Sequence, residues 1–207
     1  MDEKATLQSY LAVRRADLLA TLDGLGEYDI RRPLTPTGTN LLGLVKHVAS
    51  VQLEYFGLVF DRPGRTLAWM DYGAPDNADM WATEDESRAD IIDLHHYSAA
   101  HADATIEALP LDAPGSVPWW DEARRAVTLH QILVHVCVET ARHAGHADIV
   151  RELIDGRIGN GPADPNIPPL DADAWSAYTA RVESAARAAA ARDGAAGAPE
   201  APGRNGA

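Results

Sequence analysis

Residues 130–156 read HQILVHVCVETARHAGHADIVRELIDG, and no other stretch limits the chain so sharply. They carry four of its eight histidines, its single cysteine and a glutamate, set among apolar residues with no proline and one interior glycine, Gly145, before Gly156. The apolar spacing predicts a long helix. At ~100° per residue, His135, Glu139, His143 and His146 then share an arc of roughly 80°. Imidazoles and a carboxylate on one helical face are costly to bury without partners. A metal ion is a partner that suits all of them.

The remaining sequence supplies a bundle for that helix. Residues 3–25 repeat leucine at Leu7, Leu11, Leu18, Leu22 and Leu25, which predicts a first helix ended by Gly24 and Gly26. A connector broken by Pro33, Pro36 and Gly38 leads to Thr39 or Asn40 as N-cap of a second helix, 41–59. His47 borders the apolar face of that helix. Residues 61–85 are rich in Pro, Gly, Asp and aromatics and predict a long ordered loop over a pocket, anchored by Trp69, Tyr72 and Trp81. Thr83 or Asp85 is the expected cap of a third helix over about 86–108. A second connector, with Trp119 and Trp120 as packing or lid residues, leads to Thr128 as cap of the fourth helix. No alternating strand pattern competes.

The predicted fold is therefore all-α: a four-helix bundle over 1–160, a Pro/Gly linker and extra C-terminal helix over 161–192, and a disordered tail over 193–207, where DGAAGAPEAPGRNGA has no core-forming residue.

Composition narrows the function. Of 207 residues, 46% are apolar and 24% charged, compatible with a real core, and the net charge is −13. An acidic chain lacks the basic face that nucleic acid needs, and the charge disfavours anionic membranes. No run approaches the ~20 apolar residues of a membrane span. The acidic opening MDEKATLQSYL predicts no signal peptide, so the expected location is cytoplasmic. Cys137, between two valines, reads as a buried inert thiol.

Glu139 and His143, at i and i+4, converge above one turn of helix. A third ligand must come from another helix, and His47 is the best candidate. Two imidazoles and a carboxylate form a sound divalent-metal set that leaves a position for water or substrate. Zinc suits these donors best; nickel, iron and manganese remain open. The spacing is neither HExxH nor paired Glu-x-x-His, which excludes a zincin and a ferritin-like di-iron site. His146 is the candidate catalytic residue, as a base or a contact to substrate, and His135 a supporting or packing residue. Arg151 either pairs with Asp148 at i, i+3 or binds an anionic cofactor or substrate group. His95, His96, His101 and His130 read as ordinary surface or cap residues.

Two motifs carry a resemblance. TGTNLLGLVKHVASVQLEYF, residues 37–56, and LVHVCVETARHAGHADIVRELIDG, residues 133–156, resemble the DinB-like superfamily, four-helix proteins that include mycothiol- and bacillithiol-dependent enzymes. His47, Glu139 and His143 match the family's metal ligands. Glu139, where many members have histidine, is similar to the maleylpyruvate isomerase variant. The resemblance implies a divalent metal, a low-molecular-weight thiol cofactor held on it as thiolate, and an electrophilic small-molecule substrate. The expected activity is thiol S-transfer or isomerisation. A metal-dependent hydrolase and a non-catalytic, metal-stabilised bundle in stress response are the alternatives, and a homodimer fits each.

Overall fold

The computed structural model describes residues 2–71, 73–159 and 166–196, with side chains to Arg192. Among the described residues the fold is all-α apart from one very short hairpin. The chain separates into two compact units, 1–164 and 165–207.

In the first unit, α1 (Glu3–Ala20) starts at Asp2, whose carboxylate accepts the Ala5 N–H at 2.8 Å. It stops five residues earlier than the leucine repeat predicts. Turns follow through Gly24, and the short α2 (Glu27–Arg31) occupies part of the expected connector. Leu22 stays buried in those turns, so the leucine spacing reports burial there and not helix. Asn40 caps α3 (Leu41–Phe56) through the Gly43 N–H. The expected continuation of α3 to residue 59 is a 3-10 turn, Leu58–Phe60. α4 (Arg88–Ala108) begins at Ser87, not at Thr83 or Asp85, because Ser87 and Asp90 form a reciprocal capping box. α5 (Leu129–Asp155) has the expected ends, Thr128 as N-cap and Gly156 at φ 75°. Only glycine takes that left-handed conformation without strain.

Between α4 and α5, Pro114–Ser116 pairs antiparallel with Ala126–Thr128. Three-residue strands are too short to show an alternating pattern. The hairpin hands the chain directly to α5, because Leu129 N–H and His130 N–H donate to Ala113 and Leu111 carbonyls.

α3 is the central helix and packs on both α4 and α5, while α1 packs on α5. All of its sixteen residues are buried except His47 and Glu54. Two large apolar clusters, with a smaller third of Ala49, Leu53 and Leu94, fill the bundle among the described residues. One gathers Leu11, Phe56, Ile106, Ile132 and Val136; the other gathers Leu18, Leu44, Val48, Ile91 and Ala147. Between them in sequence, on each long helix, lies a buried polar residue: Arg15, Gln52, Ser98 and Thr140. Arg15 donates to Gln52 and to Asp103, and Gln52 donates to Ser98 Oγ. His95 belongs to this buried set at 1% exposure, contrary to its reading as a surface residue. Its side is set by Leu94 and Ser98 packing inward from the same turns of α4.

In the second unit, α6 (Ala172–Ala196) is the expected C-terminal helix, with Asp171 accepting the Ala174 N–H at 2.8 Å. It runs four residues into the segment expected to be disordered, since alanine holds a helix without a core. The rest of that tail lies outside the described residues. Among them, no helix is long and apolar enough to cross a membrane.

Candidate metal centre

His47 on α3 and Glu139 and His143 on α5 come together where those helices pack. One donor atom from each lies within 4.8 Å of the others. Glu139 Oε1 is 2.9 Å from His143 Nε2 and 3.4 Å from His47 Nε2. The His47 and His143 rings meet edge to face, 4.7 Å between centroids. All three side chains are partly buried, so they reach solvent without being fully hydrated.

A fourth residue orients the first. Asp79 Oδ2 stands 2.6 Å from His47 Nδ1. Nδ1–H donates to that carboxylate and Nε2 presents its lone pair to the other donors, the arrangement found behind metal-bound histidines. Asp79 sits in the 61–85 loop, and α3 is shaped to receive it. A Cβ on Gly43 would stand 1.8 Å from the Met80 carbonyl oxygen, so only glycine lets the loop backbone lie so close. One turn on, Lys46 is buried at 2% exposure. Its ammonium donates to the Ala78 and Trp81 carbonyls and to Glu86, and lies 4.0 Å over the Trp69 ring. Gly43, Lys46 and His47 thus fasten the loop that carries Asp79. Trp69 is an anchor as expected, donating to Ser50 Oγ, whereas Trp81 is 49% exposed and Tyr72 lies outside the described residues.

The charges suit a cation. Burial would raise the Glu139 carboxyl, but the two imidazoles outweigh it and hold it below the usual carboxylate range. Burial, with His47 beside it, lowers His143 and keeps that ring neutral. For His47 burial also acts downward, yet the Asp79 and Glu139 carboxylates prevail and raise it. A proton therefore competes for the position a metal would take. Two imidazole nitrogens and an ionised carboxylate, converging from two helices with an ordered second layer, fit a divalent cation.

Residues 6–156 match the mycothiol-S-transferase family. The chain belongs to that family, within the DinB-like superfamily. No curated protein matches the sequence. Among solved structures, a conserved protein from Enterococcus faecalis superposes with a TM-score of 0.57 at 17% identity, over 76% of this chain and 99% of that one. At that identity the likeness shows the fold.

The other residues singled out in this mycothiol-S-transferase family member fall in different places. His146 Nδ1 lies 3.4 Å from His143 Nδ1, on the far side of the ring from Glu139. Its contact is with a candidate ligand. His135 packs against Tyr55 and Trp120, with ring centroids 4.8 and 5.3 Å away. Trp119 and Trp120 both donate to Tyr55 Oη, at 3.4 and 3.2 Å, forming an aromatic wall along the α3–α5 seam. Arg151 is brought to none of these. Its guanidinium donates to the Thr21 and Asp23 carbonyls and, at i+4, to Asp155. It ties the segment after α1 to α5, with Asp155 as an acidic partner. Cys137 is half-buried, and burial pushes its thiol up, consistent with an inert residue. Sequence reasoning missed Asp79, whose only signal was an acid in a loop read as functional.

Proposed function

We propose that this chain is a cytoplasmic, metal-dependent thiol S-transferase acting on an electrophilic small molecule. The observation that carries the reading is the convergence of His47, Glu139 and His143 on one point in a chain whose family is named for mycothiol S-transfer. Zinc is the metal best suited to two imidazoles and one carboxylate. When bound, the ion supplies the positive charge that keeps a thiol ionised at neutral pH.

The chain's own residues do the rest. Asp79 holds the proton of His47 at Nδ1 and so fixes Nε2 as the ligating atom. His146 meets His143 at Nδ1 and sets that ring's orientation in the same way, which makes it a positioning residue. Glu139 lies between the two rings and contributes the negative charge of the set. Tyr55, Trp120 and His135 line the seam beside them with apolar ring surface that excludes water from a bound thiol and its electrophile.

Thermal-shift titration of metal-free protein with zinc, then with mycothiol, tests the reading. A rise in melting temperature at each addition is expected, with RT ln(1 + [L]/Kd) as its thermodynamic basis. No response to any divalent metal overturns it. Ester hydrolysis without added thiol moves the assignment to a metal-dependent hydrolase.

A further inference from the structure

His47 and Glu54 are the two residues of α3 that escape burial. Seven positions apart, they share one face of the helix, about 10 Å apart along its axis. Glu54 fronts a cavity of about 170 Å³ between the second half of α3 and the loop that follows it. Leu53, Leu58, Leu67 and Met70 give the cavity apolar walls, and Ser50, one turn from His47, marks its near end.

The Glu54 carboxyl has no hydrogen bond or ion pair among the described residues. Neither neighbouring cation pairs with it. Arg65, on the cavity rim, lays its guanidinium 4.0 Å over the Tyr97 ring, and Lys46 is held by Ala78, Trp81 and Glu86. Asp71 adds a second acid to the rim. Burial raises the Glu54 carboxyl, and the Asp79 charge raises it further against the pull of His47. A half-buried acid without a counter-ion, facing an apolar cavity beside a candidate metal centre, is placed to give up a proton to whatever fills the cavity.

We propose that the cavity seats a neutral α,β-unsaturated carbonyl compound and that Glu54 is the catalytic residue that protonates it. The inference rests on the thiol-transfer reading above. Apolar walls suit the carbon skeleton, and two acids, Glu54 and Asp71, against the single cation Arg65 disfavour an anionic electrophile. In the addition, the thiolate sulfur forms a bond to the β-carbon. The C=C π pair moves toward the carbonyl to give an enolate, and the Glu54 carboxyl delivers its proton to that enolate. Water returns a proton to Glu54 before the next cycle. Displacement of chloride from an alkyl chloride needs no such proton, because the leaving chloride takes the electron pair.

The two chemistries separate the role of Glu54 from general damage. Full-length, zinc-loaded protein is assayed with mycothiol and either 2-cyclohexenone or chloroacetamide, comparing wild type with Glu54→Gln. We expect cyclohexenone turnover to fall ~10²-fold, chloroacetamide turnover to fall no more than about threefold, and bound zinc to be unchanged. A readout free of turnover uses the metal-free protein and unreactive cyclohexanone. Its carbonyl stretch on the wild type lies at lower frequency than on Glu54→Leu, where the apolar walls offer it no donor. Equal losses with both electrophiles, an undiminished cyclohexenone rate, or an unshifted stretch overturns the proposal. Wild type that binds zinc yet conjugates neither electrophile counts against the thiol-transfer reading itself, and the ketone stretch then decides whether Glu54 donates into the cavity.

Discussion

Two polar clusters share α3 and α5. His47, Glu139 and His143 form one; Gln52 and Thr140, with Arg15 from α1 and Ser98 from α4, form the other. Glu139 and Thr140 are adjacent in sequence, yet one reaches solvent at the seam and the other is fully buried. In the buried layer Arg15 finds partners in the protein, Gln52 and Asp103, and those contacts hold the helices in register. In the triad the side chains chiefly face one another. In the buried layer Arg15, Gln52 and Ser98 are joined by hydrogen bonds, whereas Thr140 Oγ1 and both His95 ring nitrogens have no hydrogen-bond partner among the described residues. The triad is oriented from behind, as Asp79 orients His47. Breaking the two clusters should therefore have opposite consequences.

Glu139→Ala has the largest expected effect on the metal and little on the fold. Elemental analysis should fall from a full equivalent to almost none, while the metal-free variant unfolds within ~0.5 kcal/mol of metal-free wild type, as surface substitutions do. A comparable loss of metal-free stability would mean the triad is a structural cluster. Arg15→Met reverses the pattern. Removing Arg15 leaves the buried Gln52 amide oxygen without its donor and the half-exposed Asp103 without its partner, which should cost about 1–3 kcal/mol in urea unfolding, with zinc affinity of the folded protein retained.

The pH dependence sharpens the contrast. Burial, and then the nearby charges of Arg15 and His96, lower His95 from 6.5 to about 3. Because the folded value lies below the unfolded one, the unfolded chain binds the extra proton. The stability that neutral His95 contributes is present above pH 6.5 and is lost as pH falls toward 3. At ~1.4 kcal/mol per pH unit, metal-free protein should lose about 2 kcal/mol between pH 6.5 and 5 from this group. His95→Leu should flatten that slope in urea titrations at the two pH values; an unchanged slope would place the acid sensitivity elsewhere. Asp79→Asn is the mildest change. It should weaken zinc binding 10–100-fold by competition with a chelator, without moving the urea midpoint of the metal-free protein. No change in zinc affinity would reduce the Asp79–His47 contact to a loop tether.

Much of this was legible because helices impose a period. The 3.6-residue repeat put Glu139 and His143 on one face, and the caps at Thr128 and Gly156 bounded their helix. His47 could be chosen as the third member because it is the sole histidine of the second long helix. Local signals failed where non-local contacts decide. His95 looked like a surface residue, since its burial depends on which face of α4 meets α3. Arg151 looked available until the end of α1 folded back onto it. The hairpin before α5 was too short to announce itself.

The amino-acid sequence by itself determined the bundle, the helix ends set by Thr128 and Gly156, and the pairing of Glu139 with His143, because each depends on residues within a turn or two. The tertiary structure alone decided that Asp79 stands behind His47, that Arg15 and His95 lie in the core, and that Glu54 looks into a cavity. Those facts depend on side chains distant in sequence meeting across packed helices. The approach of Met80 to Gly43 shows how narrow such a meeting is: the space where a single Cβ would stand is what brings the loop, and Asp79 with it, to the site.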